Sequence, residues 1–252
     1  MTGDVGRQVV VMLLLLSTPV VPVFLPPSVS REAGSSFPDD LKYCQLAVVD
    51  LTASSTLTCA SLCLQYSECR LYCLKGNKCN VFSAQVSVHW RGQAGPSTHL
   101  YDKCYSSWHV NNSLTHHIVS VSSSAEFGIQ RLAKYAVSGF FCSATNYFCF
   151  TSGNDFNSWW RADLGQPLRV SSILVQTRRD NFTESLFLGV TVYLGNSSNY
   201  VDNPVFDVFP GSAPPWGMLV TFKPSQPMTG RYLLLHAPNC QFLTICDVQL
   251  LG

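Results

Sequence analysis

The residues best suited to bind a ligand stand close together in the second half of the chain, in the run Thr177-Arg178-Arg179-Asp180. An arginine and a carboxylate two positions apart supply fixed hydrogen-bond donors and acceptors, which suits a polar ligand. They equally suit a structural ion pair, in which Arg178 is held by Asp180 or by Asp163. The residues alone leave both interpretations open.

Short motifs of common enzymes are absent from the sequence. It has no Gly-x-Ser-x-Gly, no His-Glu-x-x-His and no phosphate-binding loop. His116 and His117 form the one histidine cluster, and we expect them on the surface because no cysteine or carboxylate partners stand nearby. The sequence therefore predicts a binding protein and not an enzyme.

Composition and charge bound the class of protein. A chain of 252 residues with 46% hydrophobic content has room for two modest domains and is not disordered. The net charge is +1 and the basic residues are scattered, so no basic face for nucleic acid is expected.

Residues 1–30 resemble a secretory leader. Arg7 precedes an apolar run from Val9 to Leu25, which is broken by Pro19 and Pro22. The run is shorter than the roughly 20 residues of a membrane-spanning helix. We predict a cleaved signal peptide and a secreted, extracellular protein without membrane insertion, with an uncleaved anchor as the alternative.

Eleven cysteines in a chain with a leader indicate disulfide bonds, which form in an oxidising compartment. The number is odd, so at least one cysteine is free or bonded to another chain, which would give a disulfide-linked dimer. Acceptor sequences at Asn111, Asn181 and Asn196 predict a glycoprotein.

Cysteine usage also divides the chain. Seven cysteines stand between Cys44 and Cys104 and four stand beyond, with a polar segment at 108–115 that is typical of a linker. We predict a small disulfide-rich α+β domain over residues 40–107. Residues 116–252 carry short apolar strands separated by turns, which predicts a β-sandwich and a mainly β protein.

The first domain contains one predicted helix, Thr56–Gln65, with Ser54 or Ser55 as the N-cap. Cys59 and Cys63 are four positions apart and therefore share a helix face, from which each can tie the helix to a neighbouring strand. Zinc bound by Cys59, Cys63, Cys69 and Cys73 is the alternative. Structural zinc sites usually have closer cysteine spacing, and an oxidising compartment favours bridges.

This cysteine pattern, Cys-x3-Cys-x5-Cys followed by a cysteine in a strand, resembles the PAN/apple family. The resemblance covers about 65 residues. It implies nested bridges, namely Cys44–Cys104, Cys59–Cys79 and Cys63–Cys69, and leaves Cys73 as the odd cysteine.

Four landmarks of the second domain resemble the F-type lectins (fucolectins) and their discoidin-like relatives. In order they are Trp159 to Gly165, Arg178-x-Asp180, Leu188 to Asn196, and Gly230 to Val248. The resemblance implies a jelly-roll, galactose-binding-like β-sandwich. It further implies the bridge Cys149–Cys246 and leaves Cys142–Cys240 as an additional pair.

The sugar motif of that family is a histidine, an arginine 27 positions on, an aspartate two further and a basic residue five beyond. Thr151, Arg178, Asp180 and Ser185 occupy those positions here. The middle pair is kept, while short hydroxyls replace the two flanking donors. We predict a carbohydrate-binding protein with a degenerate site, whose partners are glycans or glycoproteins. The alternative is an extracellular protein-interaction or structural module that has lost sugar binding.

Lectins of this family commonly hold calcium. Asp247 stands where the family has an acidic ligand, whereas Ser138 replaces the carboxylate of an earlier loop at 136–139. The resemblance therefore implies a calcium site at Asp247 with reduced charge, and no other cofactor is expected.

Overall fold

The computed structural model of the chain describes residues 31–33, 35–52, 54–87, 90, 98–107, 113–129, 131–142, 149–154, 156–178, 187, 189–209, 217–238 and 242–252. The predicted signal peptide lies outside these residues, as do Asn111, Asp180, Asn181, Ser185 and Cys240. Within the ranges just given, no helix is long and apolar enough to cross a lipid bilayer.

The first half of the described chain packs one helix against a five-stranded antiparallel sheet. Its elements are β1 (Arg31–Ala33), β2 (Ser36–Pro38), β3 (Gln45–Asp50), α1 (Thr56–Leu64), β4 (Leu71–Lys75), β5 (Lys78–Phe82), β6 (Gln85–Val86), β7 (Thr98–Leu100) and β8 (Lys103–Ser106). The strand order in the sheet is β1-β8-β4-β5-β3, and β2 pairs with β7. A 3-10 helix at Asp39–Cys44 connects β2 to β3. This α+β arrangement is the one predicted, while membership of the PAN/apple family stays a prediction.

Helix α1 begins at its predicted cap. The Ser55 hydroxyl accepts a hydrogen bond from the Thr58 amide at 3.3 Å, which satisfies one of the free N–H groups of the first turn. Cys59 and Cys63 are the buried residues of the helix. They are bonded to Cys79 on β5 and to Cys69 after the following turn, so both predicted bridges are confirmed.

Two other predicted bridges are wrong, and so is the assignment of Cys73 as the odd cysteine. Cys73 on β4 lies directly opposite Cys104 on β8, and adjacent strands bring such partners closest, so these two are bonded to each other. Cys44 is therefore not bonded to Cys104 but to Cys142, which excludes the predicted Cys142–Cys240 pair. The zinc alternative is wrong as well, because all four of its cysteines form disulfides.

The second half is an antiparallel β-sandwich of two sheets. Its strands are β9 (Ser120–Ser123), β10 (Phe140–Phe141), β11 (Phe150–Thr151), β12 (Ser158–Val170), β13 (Ser172–Gln176), β14 (Thr191–Gly195), β15 (Val205–Val208), β16 (Leu219–Phe222), β17 (Met228–Ala237), β18 (Thr244–Ile245) and β19 (Asp247–Leu251). One sheet has the order β15-β14-β17-β12-β9, and the other has the order β16-β13-β19. Short 3-10 helices lie at Thr115–His117, Ala133–Val137 and Tyr200–Asp202. The predicted mainly β fold class is confirmed.

The two tryptophans of β12 face opposite sides of the sheet, as strand geometry requires. Trp160 is fully buried in the sandwich core, and its indole N–H donates to the Ala133 carbonyl at 3.0 Å. Trp159 is half-buried on the outer face, with the Arg161 guanidinium 5.4 Å from its ring centroid. Trp160 therefore packs in the core, and Trp159 lies on the outer face of the sheet.

The middle of β12 contains an irregularity that holds a charged pair. The register against β17 shifts between Asp163 and Leu168, and Gly165 adopts a φ of +74°, which a glycine tolerates. Arg231 on β17 binds the Asp163 carboxylate through two nitrogens at 2.8 and 2.9 Å. That hydrogen bonding lowers the pKa of Asp163. Asp163 therefore has Arg231 as its partner, so the structural ion pair considered for Arg178 does not involve it.

The two halves are joined by a segment of the second that packs into the first. Strand β10 pairs with β6, and the Ser87 amide donates to the Gly139 carbonyl at 2.8 Å. Phe140 packs in one core with Phe37 and Trp90, and the Cys44–Cys142 bridge lies beside it. The predicted domain boundaries stay predictions, but the two halves share this covalent and apolar junction.

Candidate functional site

Two of the four predicted ligand-binding residues lie at the same end of the sandwich. Strand β11 pairs with β18, so that Thr151 lies opposite Thr244. The chain continues from β18 through Cys246, whose amide donates to the Gln176 carbonyl at 2.9 Å, into β19 beside β13. Thr151 and Arg178, which follows β13, therefore flank the same short segment. Asp180 and Ser185 lie outside the described residues.

Thr151 is buried, with 3% of its surface exposed. Its hydroxyl accepts hydrogen bonds from the Arg131 guanidinium and from the Thr244 hydroxyl, both at 3.2 Å. The side chain at this position thus has protein partners on two sides. Arg131 is a residue that the sequence reasoning missed, because it stands 20 positions before Thr151 in a segment without strand periodicity.

Buried hydroxyls hold the neighbouring loops in place. The Ser152 hydroxyl accepts from the Leu243 amide at 2.8 Å and donates to the Ser158 hydroxyl at 2.8 Å. A Cβ atom at Gly153 would lie 2.8 Å from the Ala125 side chain, so the loop after β9 packs tightly against the loop after β11. The residues of this end are therefore positioned before any ligand arrives.

Exposed aromatic and aliphatic side chains surround these hydroxyls. Phe127 is 51% exposed and meets Phe242 edge-on, with ring centroids 5.6 Å apart. The Arg131 guanidinium lies 5.8 Å from the Phe127 centroid. Ile129, on the loop after β9, is 85% exposed, and Phe156, on the loop after β11, is 68% exposed. Hydrogen-bond donors beside exposed rings are the groups that a sugar site requires.

Asp247 begins β19 and is buried. Its carboxylate accepts from the Gln249 amide group at 2.8 Å, and burial raises its pKa to about 6. Ser138, at the position of the missing carboxylate, exchanges hydrogen bonds with Phe140. Across the described ranges, no three acidic, histidine or cysteine side chains gather to hold a metal. Backbone carbonyls also serve as oxygen ligands of Ca²⁺, so the calcium site at Asp247 stays a prediction.

The acceptor residue Asn196 is exposed in the turn after β14. The hydroxyl of Ser197, the next residue, donates to Asp202 at 3.0 Å. Asn196 is therefore accessible for glycosylation, which stays a prediction at this position.

The described strands of the second half form a β-sandwich, and the sequence and fold of this part of the protein resemble those of the fucolectins. Fucolectin-1 of Anguilla japonica is 35% identical to the chain over 103 residues, which are 40% of this chain and 56% of the relative. Fucolectin of Anguilla anguilla is 33% identical over 103 residues, covering 40% of this chain and 63% of the relative. The chain thus spans somewhat more than half the length of these curated relatives.

A solved structure agrees with this assignment. The F-lectin (fucolectin) from the serum of the striped bass, Morone saxatilis, superposes with a TM-score of 0.50 at 29% identity, over 57% of this chain and 50% of that one. No family model matches the chain. The chain is therefore similar to the fucolectins in sequence over about 40% of its length and in fold over 57% of it.

Proposed function

We propose that this protein is a secreted, non-enzymatic lectin that binds glycans or glycoproteins at the loop end of its C-terminal sandwich. One observation carries the proposal. The Arg131 guanidinium, the Thr151 and Thr244 hydroxyls and the exposed Phe127 ring meet at this end. Donors would bind the hydroxyls of a sugar while the ring covers its apolar face. The similarity to fucolectins supports the same function.

The site departs from the family motif and is proposed to be degenerate. Thr151 stands where a histidine donor is expected, and Ser185 stands where a basic residue is expected. A charge-assisted hydrogen bond contributes about 1.5–3 kcal/mol. We therefore expect binding that is weaker than, or different in selectivity from, that of a complete motif.

A glycan array tests the proposal. The full chain, secreted from eukaryotic cells, is applied to fucosylated, galactosylated and sialylated glycans, with calcium and with EDTA. We expect binding that Arg178→Ala weakens, while Arg169→Ala, an exposed arginine at the far end of β12, leaves it unchanged. Asn181→Gln is included because a glycan at that position would crowd the loop. If neither the wild type nor any variant binds a glycan of the array, the proposal is contradicted.

A protein partner at the same end is the second candidate function. It is favoured by the exposed side chains of Ile129 and Phe156, since exposed apolar clusters mark interaction surfaces. Cells whose surface glycans have been removed enzymatically separate the two candidates. A lectin loses binding to such cells, whereas a module that binds protein retains it.

The five disulfides of the described residues support an oxidising, extracellular location. A disulfide-linked dimer does not involve Cys73, which is bonded to Cys104. Electrophoresis of the secreted protein with and without reductant shows whether another cysteine links two chains. A single band at the monomer position in both lanes would exclude the covalent dimer.

A further inference from the structure

We propose that Arg131 is a ligand-binding residue of this site, and that it supplies the donor that the family motif would place at residue 151. The exposed ring of Phe127 provides the apolar platform beside it. This inference rests on the proposed lectin function and names residues that the motif does not contain.

Residue 151 itself is poorly placed to contact a ligand. Its side chain is 3% exposed, and its hydroxyl already accepts two hydrogen bonds from the protein. A threonine side chain is also too short to extend past these partners toward solvent. The position therefore anchors a longer donor instead of acting as one.

Arg131 is that longer donor. Its carbonyl accepts from the Thr151 amide at 3.2 Å, and its guanidinium donates to the Thr151 hydroxyl at 3.2 Å. The residue is thus held to β11 at both its main chain and its side chain, while its side chain is half-buried and reaches the surface. A guanidinium has five N–H donors in a rigid planar fork, so the bond to Thr151 helps to fix its orientation at the surface.

Phe127 brings an apolar face to the same place. Its ring lies 5.8 Å from the Arg131 guanidinium and packs edge-on against Phe242, so two separate loops hold it. Ser152 fixes the second of these loops through its bond to the Leu243 amide. The donor and the ring are therefore positioned relative to each other in advance, which lowers the entropic cost of binding.

The shape of the donor indicates the ligand. A planar fork binds two neighbouring oxygens at once, as in a carboxylate or a pair of adjacent hydroxyls. We therefore expect a glycan whose terminal residue presents two such oxygens next to an apolar CH or methyl face. Fucosylated and sialylated glycans are the two sources of this chemistry, and the glycan array separates them.

Affinity measurements with matched variants test the inference. The best array ligand is titrated against the full wild-type chain and against Arg131→Gln, Arg131→Lys and Phe127→Ala. We expect Arg131→Gln to weaken binding about tenfold or more, as the loss of a charge-assisted hydrogen bond implies. We expect the affinity of Arg131→Lys, which keeps the charge and loses the planar fork, to lie between the affinities of Arg131→Gln and the wild type. Phe127→Ala also weakens binding, because it removes the apolar face.

Two control variants match these changes away from the site. Arg169→Gln removes an exposed guanidinium at the opposite end of β12. Tyr43→Ala removes a ring that is 56% exposed and lies under the Lys42 ammonium group at 5.0 Å, in the first half of the chain. Neither control changes the affinity. Thermal unfolding of each variant confirms that the protein is folded, and Arg131→Lys decides the question if Arg131→Gln does not fold.

The outcomes separate this inference from the proposed function. Wild-type affinity in both folded Arg131 variants, together with weakened binding of Arg178→Ala, would overturn the role of Arg131 and leave the lectin function standing. Silence of the wild type on every glycan overturns both. A loss in the Arg131 and Phe127 variants that the controls do not share supports the inference.

Discussion

Cys44 is bonded to Cys142, which stands 98 residues further along the chain. The bridge links the end of the first 3-10 helix to the segment that follows β10. It lies beside the pairing of β6 with β10 and the packing of Phe140 against Trp90. The two halves of the protein are therefore joined by a covalent bond, by backbone hydrogen bonds and by a shared apolar core.

Removal of this bridge is expected to destabilise the protein more than removal of a short one. In the chain-entropy description, a closed loop of about 100 residues contributes more than 4 kcal/mol, less where other bridges already restrict the loop. We expect Cys44→Ser with Cys142→Ser to lower the free energy of unfolding by about 2–4 kcal/mol. The matched control is Cys63→Ser with Cys69→Ser, whose bridge spans only 6 positions. Urea unfolding measures both, and an equal or larger loss in the control pair would contradict the expectation.

Adjacent tryptophans of β12 are expected to differ in their contribution to stability. Trp160 is fully buried and donates a hydrogen bond, so Trp160→Ala leaves a large cavity and costs about 3–5 kcal/mol. Trp159 is half-buried on the outer face, and Trp159→Ala is expected to cost about 1 kcal/mol. Chemical denaturation of the two variants measures the difference. Similar losses of stability would mean that Trp159 contributes more to the free energy of unfolding than its exposure indicates.

Asp247 is expected to make the protein less stable as the pH rises through 6. Burial raises the pKa of this carboxyl from its usual 3.8 to about 6. Below pH 4 it is neutral in both the folded and the unfolded chain, whereas above pH 6 the folded state must hold a buried charge. The wild type should therefore lose up to roughly 3 kcal/mol between pH 4 and pH 8 relative to Asp247→Asn.

Unfolding of the wild type and of Asp247→Asn across that range tests the expectation. The asparagine keeps an oxygen that can accept from Gln249, so the hydrogen bond is not the variable. Stability curves that run parallel from pH 4 to pH 8 would show that the carboxyl titrates near its ordinary value.

His236, in contrast, is expected to make the protein less stable as the pH falls. Burial lowers the pKa of this imidazole, which is stacked on Tyr200 at a centroid distance of 4.2 Å. The unfolded chain takes up a proton near pH 6.5 while the folded chain resists it, so stability is lost as the pH falls below 6.5. His236→Phe keeps a ring against Tyr200 and removes the titration.

We therefore expect the melting temperature of His236→Phe to fall less than that of the wild type between pH 7.5 and pH 5.5. Both proteins carry Asp247, so its opposite effect cancels in the comparison. An identical fall in the two proteins would show that the pKa of His236 is not lowered by folding.

Features that depend on neighbours in the chain could be predicted from the sequence. The Ser55 cap, helix α1 and the shared face of Cys59 and Cys63 depend on spacings of a few residues along one helix. The partners of these two cysteines, Cys79 and Cys69, were predicted by the resemblance to the PAN/apple family. The opposite orientation of Trp159 and Trp160 depends only on the alternation of a strand. For the second half, the resemblance to fucolectins also predicted the sandwich and the Cys149–Cys246 bridge, and both are present.

The candidate site could be predicted only in part. Position 151 and Arg178 are brought to the same end of the sandwich, because the pairing of β11 with β18 and of β13 with β19 is a property of the predicted fold. The motif did not indicate that the hydroxyl at 151 would be buried under Arg131. Burial depends on side chains from another loop, and no spacing along the chain encodes that contact.

By itself, then, the sequence determined helix α1 with its cap, the use of cysteines in disulfides and the β-sandwich of the second half, since each depends on short-range pattern or on a recognisable motif. Only the tertiary structure decided that Cys73 and not Cys44 is bonded to Cys104, that Cys44 joins the two halves, and that Arg131 stands at residue 151. In each case the partner is chosen by how whole elements pack against one another. Residues far apart in the chain meet only when that packing has formed.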